Sequence, residues 1–219
     1  SNTEPNASEP PSVDDVDGDG IKEVIVGSHD KYLYNINSNN GNTNWKYRIN
    51  NHPHAIGPYR SAIFDINNDG SKEIVFGEAG DDGSFNGRVV ALKSNGSLLW
   101  NSSTTAVQGF QTIPAVADLN GDGVPEIIIT ANDGVYVYNG SNGNELWRKN
   151  MANVDASPVI ADLDNDYDYE VVVATSKNTI PGELCAYNAC YSGINVLDNN
   201  GNMLWNKSVD YHVLGTPAV

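Results

Sequence analysis

Asp118-Leu-Asn-Gly-Asp-Gly-Val-Pro-Glu126 runs without a break into Ile127-Ile128-Ile129, and the reading of this stretch decides the fold. The same nine-residue phrase returns as Asp15-Val-Asp-Gly-Asp-Gly-Ile-Lys-Glu23, Asp65-Ile-Asn-Asn-Asp-Gly-Ser-Lys-Glu73 and Asp162-Leu-Asp-Asn-Asp-Tyr-Asp-Tyr-Glu170. Each copy carries oxygen side chains at positions 1, 3, 5 and 9 and leads into Val24-Ile25-Val26, Ile74-Val75-Phe76 or Val171-Val172-Val173. Those β-branched runs read as buried strands. An EF-hand would place its bidentate Glu at position 12, between two helices, and neither condition holds here. A tight loop with acids at alternate positions turns its oxygens inward, as a hard divalent cation requires. Polar turns rich in Asp, Asn and Gly would explain one copy, but four in register point to a repeated ion-binding loop.

Working outward, each loop is preceded by a short apolar strand opening at Pro11, Ser61, Pro114 or Pro158. A further strand follows each loop strand: Lys31-Tyr-Leu-Tyr-Asn, Arg88-Val-Val-Ala-Leu, Gly134-Val-Tyr-Val-Tyr and Gly193-Ile-Asn-Val-Leu. Then comes Asn-Gly, with Gly at 41, 96, 143 and 201, and a Trp four residues later at 45, 100, 147 and 205. Asn-Gly between two strands signals a hairpin. The fixed place of the Trp favours packing over a ligand platform. Each unit is thus four antiparallel strands, A to D, with the acidic loop between A and B. First-Asp intervals of 50, 53 and 44 residues mark a repeat array, and four strands per unit make one blade of a β-propeller. The expected class is all-β, with blades at about 11–50, 58–105, 111–152 and 155–210 and the start of a fifth at 216–219. Ser1 to Pro10 reads as a linker or tag remnant. Because the 216–219 strand would compete with Pro11-Ser-Val for one position in a four-blade ring, the chain is expected to be part of a larger ring.

The loops, the Pro-Ala-Val-Ala-Asp lead-in and the strands ending in Val26-Gly27 and Phe76-Gly77 resemble the FG-GAP, integrin-α-type propeller repeats. That resemblance implies about four Ca²⁺ ions. The side-chain ligands would be Asp15, Asp17, Asp19 and Glu23; Asp65, Asn67, Asp69 and Glu73; Asp118, Asn120, Asp122 and Glu126; and Asp162, Asp164, Asp166 and Glu170. Backbone carbonyls would come from position 7, at Ile21, Ser71, Val124 and Asp168. Glycine at position 6 (Gly20, Gly70, Gly123) suits a left-handed turn, whereas the fourth loop departs from the pattern with Tyr167. Those side-chain ligand positions hold half of the 28 acidic side chains, and four Ca²⁺ would bring the formal charge from −16 to −8.

The remaining acidity argues against nucleic acid as a partner. No apolar run approaches the roughly 20 residues that span a bilayer, so no membrane insertion is expected of this segment. With strands alternating in direction, the B–C and D–A loops share the face opposite the acidic loops. They carry His52, His54, Tyr59, Arg60, Phe85, Phe110, Tyr187, Tyr191, Tyr211 and His212, a candidate recognition face unless these side chains only pack the loops down. Cys185 and Cys190 fit a small disulfide in an oxidising compartment, with free thiols as the alternative. His52-Pro-His54 lacks a third metal ligand in sequence and reads as ordinary loop histidines. Five N-x-Ser/Thr sequons, at Asn6, Asn95, Asn101, Asn139 and Asn206, are about as many as the Asn and Ser/Thr content produces by chance.

No Gly-x-Ser-x-Gly elbow, phosphate loop or His-Glu-x-x-His occurs. The expected function is an extracellular or cell-surface, calcium-stabilised propeller that binds a protein or glycan through its long-loop face. The alternative is a fragment of a secreted rhamnogalacturonan-lyase-like enzyme, which resembles it in its calcium loops. A lyase would need a base and a cationic clamp, for which His52, His54, Tyr59 and Arg60 form the sole cluster of candidates.

Overall fold

The computed structural model describes residues 10–28, 30–49, 55–80, 86–107, 110, 112–151, 154, 156–176 and 192–209. The described chain is all-β. It forms four four-stranded antiparallel sheets, each in simple meander order. The first holds β1 (Ser12–Asp14), β2 (Glu23–Ser28), β3 (Tyr32–Asn37) and β4 (Thr43–Arg48). The second holds β5 (Ala55–Phe64), β6 (Glu73–Gly80), β7 (Asn86–Leu92) and β8 (Leu98–Val107). The third runs β9 (Ala115–Ala117), β10 (Glu126–Ala131), β11 (Gly134–Asn139) and β12 (Glu145–Asn150). The fourth runs β13 (Val159–Ala161), β14 (Glu170–Thr175), β15 (Ser192–Leu197) and β16 (Met203–Val209). The chain divides into two compact units, Ser1–Ile113 and Pro114–Val219, with two sheets in each.

Burial explains the sequence pattern of the strands. β10 and β14 are buried at every position, which is why they read as unbroken apolar runs rather than as alternation. The fourth strands, β4, β12 and β16, are mostly exposed. Their Lys46, Arg48, Arg148, Lys149 and Lys207 place charge along an edge that would otherwise invite strand pairing. In the first unit one core joins Ile25 and Leu33 of the first sheet to Ile74, Phe76, Val90 and Leu92 of the second. In the second unit Ile128, Val135 and Val137 meet Val171, Val173 and Leu197 in the same way.

All four third-to-fourth strand pairs slip register beside the Trp, between Asn35/Ile36, Ala91/Leu92, Val137/Tyr138 and Val196/Leu197, and the β7–β8 pair slips a second time between Asn86/Arg88. The bulged residue immediately precedes the Trp, so the bulge re-aims the indole. Trp45 donates its Nε1–H to the Ser94 carbonyl at 2.9 Å, and Trp147 donates to the Asn199 carbonyl at 3.0 Å. Both rings lie where a Cβ on Gly96 or Gly201 would stand, 2.6 and 2.7 Å from the nearest indole carbon. Glycine in the Asn-Gly turn therefore serves two purposes, a left-handed φ of 79° at both positions and a seat for the neighbouring blade's tryptophan.

Phe110 is fully buried, and its N–H donates to the Glu78 carbonyl. It belongs to the packing, which corrects its place on the exposed recognition face. Glu78 is itself buried and accepts two hydrogen bonds from the Arg88 guanidinium, each 2.9 Å long. Arg60 is half-buried on β5, and Tyr59 lies on the same strand. His52, His54, Phe85, Tyr187, Tyr191, Tyr211, His212, Cys185, Cys190 and the strand at 216–219 fall outside the described residues.

Candidate metal centres

Each acidic phrase forms the loop between the first and second strands of its sheet, and all four fold by one hydrogen-bond scheme. The position-1 Asp accepts the position-6 N–H: Gly20 to Asp15 at 3.0 Å, Gly70 to Asp65 at 2.9 Å, Gly123 to Asp118 at 2.9 Å and Tyr167 to Asp162 at 3.1 Å. The position-5 Asp accepts from position 7, where Ile21, Ser71, Val124 and Asp168 donate to Asp19, Asp69, Asp122 and Asp166. The position-9 Glu starts the second strand and reaches back, its Oε2 accepting the N–H of Val16, Ile66, Leu119 or Leu163 at 2.7–3.2 Å.

Two residues per loop take a left-handed backbone. Position 6 does so at Gly20, Gly70, Gly123 and Tyr167, and position 4 does so at Gly18, Asn68, Gly121 and Asn165. Position 4 was not singled out in the sequence, although its restriction to Gly and Asn is the signal that could have found it. Tyr167 adopts φ 73° with its side chain in solvent, 93% exposed, so the fourth loop keeps the common shape at a steric cost.

The position-9 glutamates are buried acids. Glu23, Glu73 and Glu126 are each 1% exposed and Glu170 is 5% exposed. Burial raises the pKa of all four, to about 7 for Glu73, and the neighbouring loop aspartates raise it further. Glu23 Oε1 is buried with no hydrogen-bond partner. A buried carboxylate oxygen without a donor is expensive unless a cation meets it. Carboxylate oxygens of Asp15, Asp17 and Asp19 lie within 4.8 Å of one another, and so do those of Asp162, Asp164 and Glu170. In the second and third loops Asn67 and Asn120 stand at position 3. Their amides donate to Asp69 Oδ2 and Glu126 Oε1 at 3.1 and 3.2 Å.

This donor set fits a hard divalent ion: oxygens only, several carboxylates, a turn that gathers them and, at Glu23, a buried carboxylate oxygen without a donor. The residues that would hold such an ion are those at positions 1, 3, 5 and 9. When bound, it would neutralise the carboxylates, invert the electrostatics that raise the glutamate pKa values, and tie the first strand to the second.

Four-stranded meander sheets edged by acidic loops, paired within each unit through a strand-four tryptophan, define a β-propeller. Residues 15–163 match the family model described as outer membrane protein assembly factor BamB (PQQ_2), and the chain belongs to that family. This corrects the FG-GAP, integrin-α reading, which rested on nine-residue loops and their lead-ins. Those residues report the chemistry of one turn, whereas the family match extends over whole blades.

A 97-residue stretch is 36% identical to the lambda-carrageenase of Pseudoalteromonas carrageenovora, covering 43% of this chain and 10% of that protein. The chain thus spans about a tenth of the length of the curated relatives it matches. Among solved structures, the V. cholerae biofilm matrix protein Bap1 is 26% identical with a TM-score of 0.60, over 91% of this chain and 28% of Bap1. The quinohemoprotein alcohol dehydrogenase of Comamonas testosteroni is similar at 15% identity and a TM-score of 0.64, over 93% of this chain and 35% of that one. The rhamnogalacturonan lyase YesW follows at 18% and 0.57, over 90% of this chain and 42% of YesW. The last two likenesses concern the fold. Among the described residues, no helix is long and apolar enough to cross a membrane.

Proposed function

We propose that this chain is a calcium-stapled propeller module of the extracellular space that holds a glycan or protein partner on its B–C and D–A loop face. The observation that carries the calcium reading is Glu23 Oε1, a buried acceptor without a donor beside the converging carboxylates of Asp15, Asp17 and Asp19. The other three loops share its backbone scheme, so the same role extends to Asp65, Asp118 and Asp162 and their partners. The metal is structural in this reading. It offsets repulsion among acids that the fold crowds together, and metal binding adds to folding free energy. Similarity to a biofilm matrix protein and, over part of the chain, to a lambda-carrageenase supports a setting among extracellular polysaccharides.

A second reading is favoured by the carrageenase stretch and the lyase fold: the module belongs to a polysaccharide-degrading enzyme and helps to present its substrate. Arg60, half-buried on β5, and Tyr59 on the same strand are the described residues of the cluster a lyase would need.

Thermal unfolding with Ca²⁺ and with chelator, together with calorimetric titration, tests the metal. The expected result is a higher Tm with Ca²⁺ and about four ions bound. An unchanged Tm without heat of binding would reduce the loops to turns. Incubation with neutral and acidic polysaccharides, read by both retention and new reducing ends, separates the readings: retention alone supports the binding module, and chain cleavage supports the enzyme.

A further inference from the structure

Seven asparagines are followed directly by glycine: Asn40, Asn86, Asn95, Asn120, Asn139, Asn142 and Asn200. The dipeptide is chemically labile, because an unhindered glycine nitrogen attacks the neighbouring side-chain amide. The fold treats the seven differently. In the hairpin turns a carbonyl engages the glycine N–H: Gly41 donates to Asn37 and Gly96 to Lys93 at 2.9 Å, Gly143 to Asn139 at 2.8 Å and Gly201 to Asp198 at 3.0 Å. Gly140 donates to the Pro125 carbonyl at 2.9 Å, and Asn86-Gly87 is drawn into the ladder of β7.

Asn120-Gly121 differs, and it occupies positions 3 and 4 of the third acidic loop. The Gly121 N–H meets no acceptor among the described residues. At the same position of the first and fourth loops, Gly18 donates to Asp15 Oδ1 at 2.8 Å and Asn165 to Asp162 Oδ1 at 2.7 Å. In the third, Asp118 Oδ1 accepts from Asp122 instead. Nothing stands within 4 Å of where a Gly121 Cβ would be, and Asn120 is exposed, so the peptide is open to water. Asn120 Oδ1 accepts the Asp122 N–H at 2.8 Å, closing an Asx turn whose ring contains the Gly121 nitrogen. The second loop also has asparagine at position 3, but Asn68 follows it, and a side chain there hinders attack.

We infer that Asn120 is a site of spontaneous deamidation that recasts the ligand set of the third loop. The Gly121 nitrogen gives up its proton and bonds to Asn120 Cγ; the Cγ–Nδ2 bond breaks and ammonia leaves with that proton. Water then opens the succinimide, its hydroxyl going to one carbonyl carbon and its proton to the nitrogen. Opening at Cγ gives aspartate, and opening at the main-chain carbonyl gives isoaspartate, with the backbone rerouted through Cβ and Cγ. The first loop shows that aspartate fits: Asp17 Oδ1 accepts the Asp19 N–H at 3.2 Å, the bond that Asn120 makes to Asp122. Aspartate at 120 gives the third loop the all-acid ligand set of the first, and added ligand charge tightens Ca²⁺. That consequence rests on the calcium reading, whereas the lability of the site does not.

Ageing the chain in chelator, in warm and mildly alkaline buffer, with peptide mapping by mass spectrometry, reads each asparagine separately. Conversion at Asn120 is expected to run about five- to tenfold faster than at Asn40, Asn95, Asn142 and Asn200, the rate equivalent of one backbone hydrogen bond. Ageing in urea should erase most of the difference, since the dipeptide alone then sets the rate. Equal conversion in the folded chain, or a preference of the same size in urea, overturns the inference. Calorimetric Ca²⁺ titration of Asn120→Asp, the aspartate product, tests the consequence: tighter binding than wild type supports it, and unchanged affinity overturns it. Absence of Ca²⁺ heat in both proteins would overturn the calcium reading and the ligand-set consequence with it, while selective conversion would still assign the site.

Discussion

At the residue scale, Tyr167 shows how strongly the loop geometry is imposed. A left-handed conformation at a non-glycine residue costs roughly 1–2 kcal/mol. The tyrosine bears that cost with its ring in solvent and no packing to offset it. Tyr167→Gly should therefore raise stability by about 1 kcal/mol, less the glycine's greater freedom in the unfolded chain. Urea unfolding of the two proteins in chelator measures this without the metal. Glu23 is expected to behave in the opposite sense under the two conditions. Without Ca²⁺, Glu23→Gln removes a buried charge that the Val16 N–H meets at one oxygen only and should leave Tm equal or higher. With Ca²⁺ it removes an acidic ligand and should shrink the Ca²⁺-induced rise in Tm. An equal fall in Tm in both conditions would show that the carboxylate contributes to folding without meeting an ion.

At the element scale, the turns between third and fourth strands decide whether neighbouring sheets can meet. Gly201 combines φ 79° with a Cβ position 2.7 Å from Trp147 Cε3. Gly201→Val must strain the turn and displace the indole, and a loss of about 2–3 kcal/mol in unfolding free energy is expected. Asp198 caps the same turn. Burial acts to raise its pKa, but the Asn202 amide and the N–H groups of Asn202 and Asn200 outweigh it and hold the carboxyl below 3.8. A carboxylate with a depressed folded pKa contributes stability above its unfolded value and loses that contribution as pH falls through the folded one. Asp198→Ala should thus cost about 0.5–1 kcal/mol at pH 6, the smaller end reflecting solvent screening, and close to nothing well below pH 3.8. Parallel urea curves at the two pH values check the sign.

Blades were legible at this scale because their signals are local. The Asp phrase, the Asn-Gly pair and the Trp four residues on recur at fixed offsets, and each has a physical reason to do so. What could not be read was the partner of each tryptophan. Nothing in the residues around Trp45 points to Ser94, because that contact joins positions 49 residues apart. The burial of Phe110 escaped for a related reason: an aromatic in a loop looks the same in sequence whether it faces solvent or is buried. Family membership was misread because a cation-binding turn is a chemical solution that different repeats can share, and nine residues carry too little of the blade to tell them apart.

For the whole molecule, charge is the governing quantity. A formal charge of −16 on 219 residues opposes compaction, and half of the acids sit at the side-chain ligand positions of four loops where the fold packs them together. Two of those loops lie in each compact unit, so the ions would act on both units alike. At free Ca²⁺ of about 1,000 times the dissociation constant, each occupied site adds about 4 kcal/mol by mass action. Two such sites in one unit exceed half of the 5–15 kcal/mol that a whole domain of ordinary stability holds. Chelation should therefore lower Tm far more than removing any single side chain discussed above, and the fall should be partly recovered by salt. Monovalent salt screens the loop carboxylates over about 8 Å at physiological strength, but it cannot supply the coordination that Glu23 Oε1 lacks. Tm in chelator should accordingly rise with added NaCl towards a plateau that stays below the Ca²⁺ value at low salt. If NaCl alone restored the full Ca²⁺-bound Tm, the loops would be responding to ionic strength and not holding an ion.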